Sequence, residues 1–166
     1  MRVHNVHQRE LPVPPAVLGE LLDSLGRPDD LLWPAAAWPR VRFDRPLQPG
    51  ALGGHGPIRY TVESYVPGKS ISFRFTAPPG FNGTHSLLVG LAPSGARLSH
   101  DLRMNTTGSG TLSWLLVFRP LHDALLEDLL HRAARASGVQ EPPPAWSLRV
   151  RVLRALLRSR RAVRTR

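Results

Sequence analysis

The chain has no cysteine and only one lysine, Lys69, among 22 basic residues. Without cysteine there is no disulfide framework, no thiolate nucleophile and no zinc ribbon, and a reducing compartment is compatible. Aromatic residues are sparse at 7%, and no apolar run approaches the roughly 18 residues that span a bilayer. The first residues, with His4, Asn5, His7 and Gln8, lack the apolar stretch of a signal peptide, so a cytoplasmic protein is expected. Acidic residues number 12, and their shortage is local, because residues 142–166 hold eight arginines and no acid. Residues 1–141 carry 14 basic and 12 acidic side chains, a near-neutral body with a basic tail rather than a basic nucleic-acid-binding face.

What is present fits one globular unit. A chain of 166 residues that is 42% apolar can bury a continuous core without metal or disulfide. Residues 2–10 alternate loosely as a strand, and Pro12, Pro14 and Pro15 break it where the first turn of a helix tolerates proline. Val17, Leu18, Leu21, Leu22 and Leu25 recur at helical spacing up to Gly26, and residues 29–33 read as a second short helix or turn. Residues 38–56, rich in proline and glycine, hold at most a short strand near Val41 to Asp44.

From Ile58 the period is two. Ile58, Tyr60 and Val62, then Ile71, Phe73 and Phe75, alternate with polar neighbours around a turn at Pro67-Gly68. A strand over about 85–91, a turn at 93–95 and a strand carrying Leu98, His100, Leu102 and Met104 on one face complete an antiparallel meander. Leucines from Leu112 to Leu130 then mark a helix of about six turns ending near Gly138, with Pro120 inside it.

That order, with Trp33-Pro34 after the first helix, Tyr60-Thr61-Val62-Glu63 and Pro67-Gly68-Lys69 at the hairpin, and Trp114 with Leu121-His122-Asp123-Ala124 in the long helix, resembles the START-like, or helix-grip, superfamily (SRPBCC), in particular its bacterial polyketide cyclase/dehydrase-like members. The resemblance covers residues 2–137 and implies an α+β fold. In it a curved antiparallel sheet of six or seven strands wraps a long C-terminal helix, with two short helices after strand one. It further implies an internal cavity for a hydrophobic molecule such as a lipid or polyketide, and catalysis in some members only.

On that reading residues 1–138 form the ligand-binding domain. The expected lining is Tyr60, Val62, Phe73, Phe75, Leu87, Leu98, His100 and Leu102 from the sheet, with Trp33, Trp114 and Phe118 near the mouth. At any single position, ordinary core is the competing reading. His85 and His100 could orient a ligand carbonyl or act as acid and base, as Tyr60 would in a cyclase or aromatase, against the plainer reading of hydrogen-bonded structural histidines. Arg59, Arg74, Arg97 and Arg103 fit a solvated outer face. The His-Asp pairs at 100–101 and 122–123 lack the helical scaffold of a metal phosphohydrolase, and Gly68-Lys69-Ser70 lacks the earlier glycine of a P-loop. Neither metal nor cofactor is expected.

Residues 139–166 form a Pro142-Pro143-Pro144 linker and a basic amphipathic helix, with Trp146, Val150, Leu153 and Leu157 on one side and Arg151, Arg154, Arg158 and Arg161 on the other. Contact with an anionic membrane surface through Trp146 and these arginines, at the inner face of the membrane, is one expectation. Nucleic acid or an acidic partner ranks behind it. The plainer alternatives are a helix docked on its own domain or an unstructured extension.

Overall fold

The computed structural model describes the backbone of residues 1–164 and the side chains of residues 1–157. Seven strands, β1 (Arg2–Leu11), β2 (Arg42–Phe43), β3 (Leu52–His55), β4 (Ile58–Val66), β5 (Ser70–Ala77), β6 (Phe81–Ala92) and β7 (Gly95–Thr106), form one sheet. Its order is β1-β7-β6-β5-β4-β3-β2, with every neighbouring pair antiparallel. Helix α1 (Pro15–Asp23) follows β1, α2 (Ser109–Ser113) and a π-helical turn (114–118) lead into the long α3 (Arg119–Ala136), and α4 (Leu148–Arg164) ends the chain. The architecture is α+β, a curved antiparallel sheet gripping a long helix.

The expected meander is present. It is extended by β3, which glycine content hid from the sequence reading. Glycine is required there by close approach rather than by turn geometry: a Cβ on Gly53 would lie 2.4 Å from the Phe43 ring, and one on Gly54 would lie 2.2 Å from the Ile58 carbonyl oxygen. Of the two short helices expected after strand one, only α1 forms. Residues 29–33 make a turn, because Asp30 Oδ1 accepts from the backbone N–H groups of Leu32 and Trp33, each at 2.8 Å, and so replaces the helical acceptors.

Proline 120 shapes the entrance to α3. It has no N–H to give the Leu116 carbonyl and would crowd it in a regular helix, and the widened π-helical turn directly precedes it. Arg149 on α4 fills the gap, donating from Nη2 to the Leu115 and Leu116 carbonyls at 3.1 and 2.9 Å. Helix α4 is thereby held against its own domain, with Val150 and Arg154 both buried. The Arg154 guanidinium lies against two indoles set edge to face, 3.6 Å from the Trp146 centroid and 4.4 Å from that of Trp38, and donates to the Ala37 carbonyl. Trp38 and Trp146 in turn both donate to Asp128 Oδ2, at 2.6 and 3.0 Å.

Trp146 and Arg154, for which a membrane contact was expected, both face the protein, where a desolvated cation and two indole N–H groups find partners. Arg151 is exposed, while Arg158 and Arg161 lie outside the described side chains. Among the described residues no helix is long and apolar enough to cross a membrane.

Candidate ligand cavity and its histidine row

Between the concave face of the sheet and α3 lies a cavity of about 180 Å³. Trp33, Tyr60, Phe73, Phe75, His85, Leu87, His100, Leu102, Trp114 and Phe118, all singled out from sequence, border it. Val62 and Leu98 do not; they are 1% and 0% exposed and belong to the packed core. Leu121, Leu125 and Leu129 of α3, together with His55 and His122, are also part of the wall, and sequence reasoning had not assigned these five to it. The outer face is as expected, with Arg74 paired to Glu63, Arg97 to Glu10 and Arg103 to Asp101. An open groove of about 680 Å³ beside the cavity shares Pro39, His55 and Gly56 with it and carries Arg40, Arg42 and Arg59.

Strand register puts histidines in a row. Phe73 is paired with His85, Leu87 with His100, and His100 with His7, so side chains from β5, β6, β7 and β1 line up on one face. The His85 ring is stacked against Phe73 and Phe75, each at 4.8 Å between centroids, and meets the Tyr60 ring edge-on at 5.1 Å. His85 Nδ1 and His100 Nε2 are 3.2 Å apart, a hydrogen bond between two imidazoles. His122 on α3 lies 5.1 Å from His100, centroid to centroid. Three ring nitrogens of the row, His85 Nε2, His100 Nδ1 and His122 Nε2, are buried with no hydrogen-bond partner among the described residues.

Beyond His122 the row becomes ionic. His7 Nδ1 is 2.9 Å from Glu127 Oε1 and its Nε2 is 3.2 Å from Asp123 Oδ1, while Asn5 Nδ2 donates to the same Asp123 oxygen at 3.1 Å. Asn5, His7 and Arg9 alternate along β1, so the polar face of this edge strand meets the polar side of α3, with Arg9 donating to Glu127 at 3.0 Å. His7, His122 and Asp123 place three donor atoms within 4.8 Å of one another, the only such group of possible metal ligands among the described residues. Both His7 nitrogens face carboxylates, however, which is the bonding of a protonated ring, whereas a metal-bound histidine keeps a lone pair for the ion.

Electrostatics divides the row into a neutral and a charged part. Burial pushes His55 down to about 3. Burial, then the positive potential of neighbouring histidines, holds His85 and His100 well below the usual imidazole value. His122 is lowered by burial despite its bond to Asp123. Burial also raises the Tyr60 phenol far above its usual value, so Tyr60 stays a neutral donor. His7 is raised by its hydrogen bond to Asp123, against burial, with Glu127 adding to the effect. Burial opposes the charge on Asp123, but the bonds from His122 and His7 outweigh it and hold the carboxyl well below the usual range. The cavity wall is thus uncharged at neutral pH, and charge sits at the β1–α3 seam.

No known protein family matches the chain by sequence, and no curated protein matches it. Solved structures do match by shape. A Thermobifida fusca protein solved in solution is 14% identical and superimposes with a TM-score of 0.59, over 84% of this chain and 95% of its own. CalU16 from Micromonospora echinospora is 12% identical with a TM-score of 0.55, over 98% of this chain and 86% of its own. DynU16, a protein of the dynemicin biosynthetic locus, is 16% identical with a TM-score of 0.53, over 87% of this chain and 49% of its own. With these neighbours and the sheet-and-helix order above, the chain has a helix-grip fold.

Proposed function

We propose that the protein binds a small, largely apolar molecule carrying one hydrogen-bonding group in the cavity between sheet and α3. The observation that carries this reading is a largely apolar wall in which neutral histidines leave buried nitrogens unpartnered. Buried polar atoms are nearly always satisfied, so such nitrogens mark where a ligand's or a water's polar atom belongs. Size narrows the class. Ligand sites for drug-sized molecules run to roughly 300–1,000 Å³, and an apolar cavity of about 150 Å³ accommodates benzene. At about 180 Å³ the space suits one ring or a compact fused pair better than a long acyl chain or an extended polyketide.

A second reading, an enzyme working by acid–base chemistry in the same cavity, is favoured by the convergence of Tyr60, His85 and His100 at one wall. The fold likeness to a protein of the dynemicin locus accords with either reading.

The test is native mass spectrometry of the protein purified from its own host, followed by denaturing extraction. A stoichiometric small cyclic molecule, absent from a folded Leu125→Phe variant that fills the cavity, is the expected result. An unliganded mass, with no candidate small aromatic displacing a fluorescent probe, would remove the binding reading.

A further inference from the structure

The histidine row has a direction, and that direction identifies a base. Asp123 is ionised and can only accept, so His122, whose Nδ1 is 3.5 Å from Asp123 Oδ1, carries its proton on Nδ1 and leaves Nε2 as a lone pair. The orphaned His122 Nε2 and the orphaned His100 Nδ1 belong to rings 5.1 Å apart. A water molecule bridging them donates to His122 Nε2, and when it also accepts from His100 Nδ1–H the row runs unbroken in one direction. A neutral imidazole has one N–H, so His100 Nε2 must then accept, and its partner 3.2 Å away, His85 Nδ1, must donate. The one lone pair left over is His85 Nε2, at the cavity wall beside Tyr60.

We propose that this row is a polarised proton relay in which His85 Nε2 is the general base for a bound weak acid, a ligand with a phenolic or enolic hydroxyl or a hydrogen next to a carbonyl. The proposal rests on the cavity being a ligand site and names the chemistry of that ligand. In the step the ligand's bond to hydrogen breaks, its electron pair stays on the ligand as a phenolate or enolate, and the proton adds to His85 Nε2. His85 Nδ1–H passes its proton to His100, His100 Nδ1–H passes one through the bridging water to His122 Nε2, and His122 Nδ1–H delivers one to Asp123, which is 37% exposed and can release it to solvent. Nothing is oxidised or reduced. The neutral Tyr60 hydroxyl is the nearby donor for the oxygen that becomes negative. A relay of this kind supplies a base inside an apolar cavity without lodging a permanent charge there, the problem any buried acid–base site must solve.

The tautomers are readable by NMR on the protein with isotope-labelled histidine, without any ligand. At neutral pH the expected result is Nδ1–H for His85, His100 and His122. In Asp123→Ala, where the acceptor that sets the direction is gone, His85 shifts measurably toward Nε2–H, and His122→Phe produces the same shift through a different cut in the row. An Nε2–H tautomer at His85 in the unaltered protein, or no response of His85 to either substitution, would overturn the relay. The catalytic half is read with acetophenone, a neutral one-ring ketone, as deuterium uptake into its methyl group. Exchange on the order of a hundredfold faster with the unaltered protein than with His85→Gln is expected. Acetophenone that binds, by tryptophan fluorescence, but exchanges equally with both proteins overturns the base assignment. Acetophenone that does not bind counts instead against the cavity as a ligand site, and the tautomers still decide the relay.

Discussion

At the residue scale, placing neutral histidines in an apolar wall makes the protein sensitive to acid. For each histidine whose folded pKa is depressed, the unfolded chain takes up a proton first, so stability is full above the unfolded value of 6.5 and falls as pH drops below it. The loss is up to about 1.4 kcal/mol per pH unit per histidine, and for His55 it continues to about pH 3. His7 has the opposite sign: its contribution is complete below 6.5 and is lost as pH rises through its raised folded value. Asp123, with a depressed carboxylate value, adds a further loss only below the ordinary 3.8. Between pH 6.5 and about 4, therefore, four depressed histidines act together, while the His7 contribution, already complete, no longer changes. Urea denaturation at pH 7.5 and pH 5 is expected to show a clear stability loss on acidification, and His85→Phe to flatten it. Equal stability at the two pH values would contradict the assignment of a neutral row.

At the element scale, α4 acts as a strap over the start of α3. Removing the Arg154 guanidinium deletes a desolvated cation–π contact with two indoles and a charge-assisted hydrogen bond, so Arg154→Ala is expected to cost about 2 kcal/mol. Amide exchange over residues 148–157 should accelerate more than that of β7. Uniform acceleration of both would show that α4 is not a separately docked unit. Helix α3 supplies the other wall of the cavity. Leu129→Ala, at a 1% exposed position bordering the cavity, is expected to cost about 2–4 kcal/mol and to admit a bulkier ring, measured by binding of naphthol against phenol.

The sequence made some of these elements plain and hid others for identifiable reasons. Period-two patterning exposed β4, β5 and β7, and leucine spacing exposed α3, because each has one apolar face. Strand β3 was concealed by glycines that close packing demands. The histidine row was concealed because it runs across strands. His7, His85, His100 and His122 are far apart in sequence, and only the pairing register of β6, β7 and β1, with α3 packed across the sheet, brings them together. Likewise nothing local shows whether Arg154 meets a membrane or Trp38, since an amphipathic basic helix reads the same in both cases until its partner is known.

At the scale of the whole molecule, the fold provides a gripped cavity and the particular side chains decide its contents. The groove carrying Arg40, Arg42 and Arg59 adjoins the cavity at Pro39, His55 and Gly56, while the interior wall is uncharged. A neutral ring compound with a hydroxyl or carbonyl suits that interior, and a long-chain fatty acid does not, being too large for about 180 Å³ and charged where no charge is compensated. The most direct measurement is a calorimetric titration of the 166-residue chain with phenol, naphthol and palmitate at neutral pH. Saturable one-to-one binding of the phenols, weakened by Leu125→Phe, with no binding of palmitate, is the result this account expects. Tight binding of palmitate, or no saturable binding of either phenol, would contradict it.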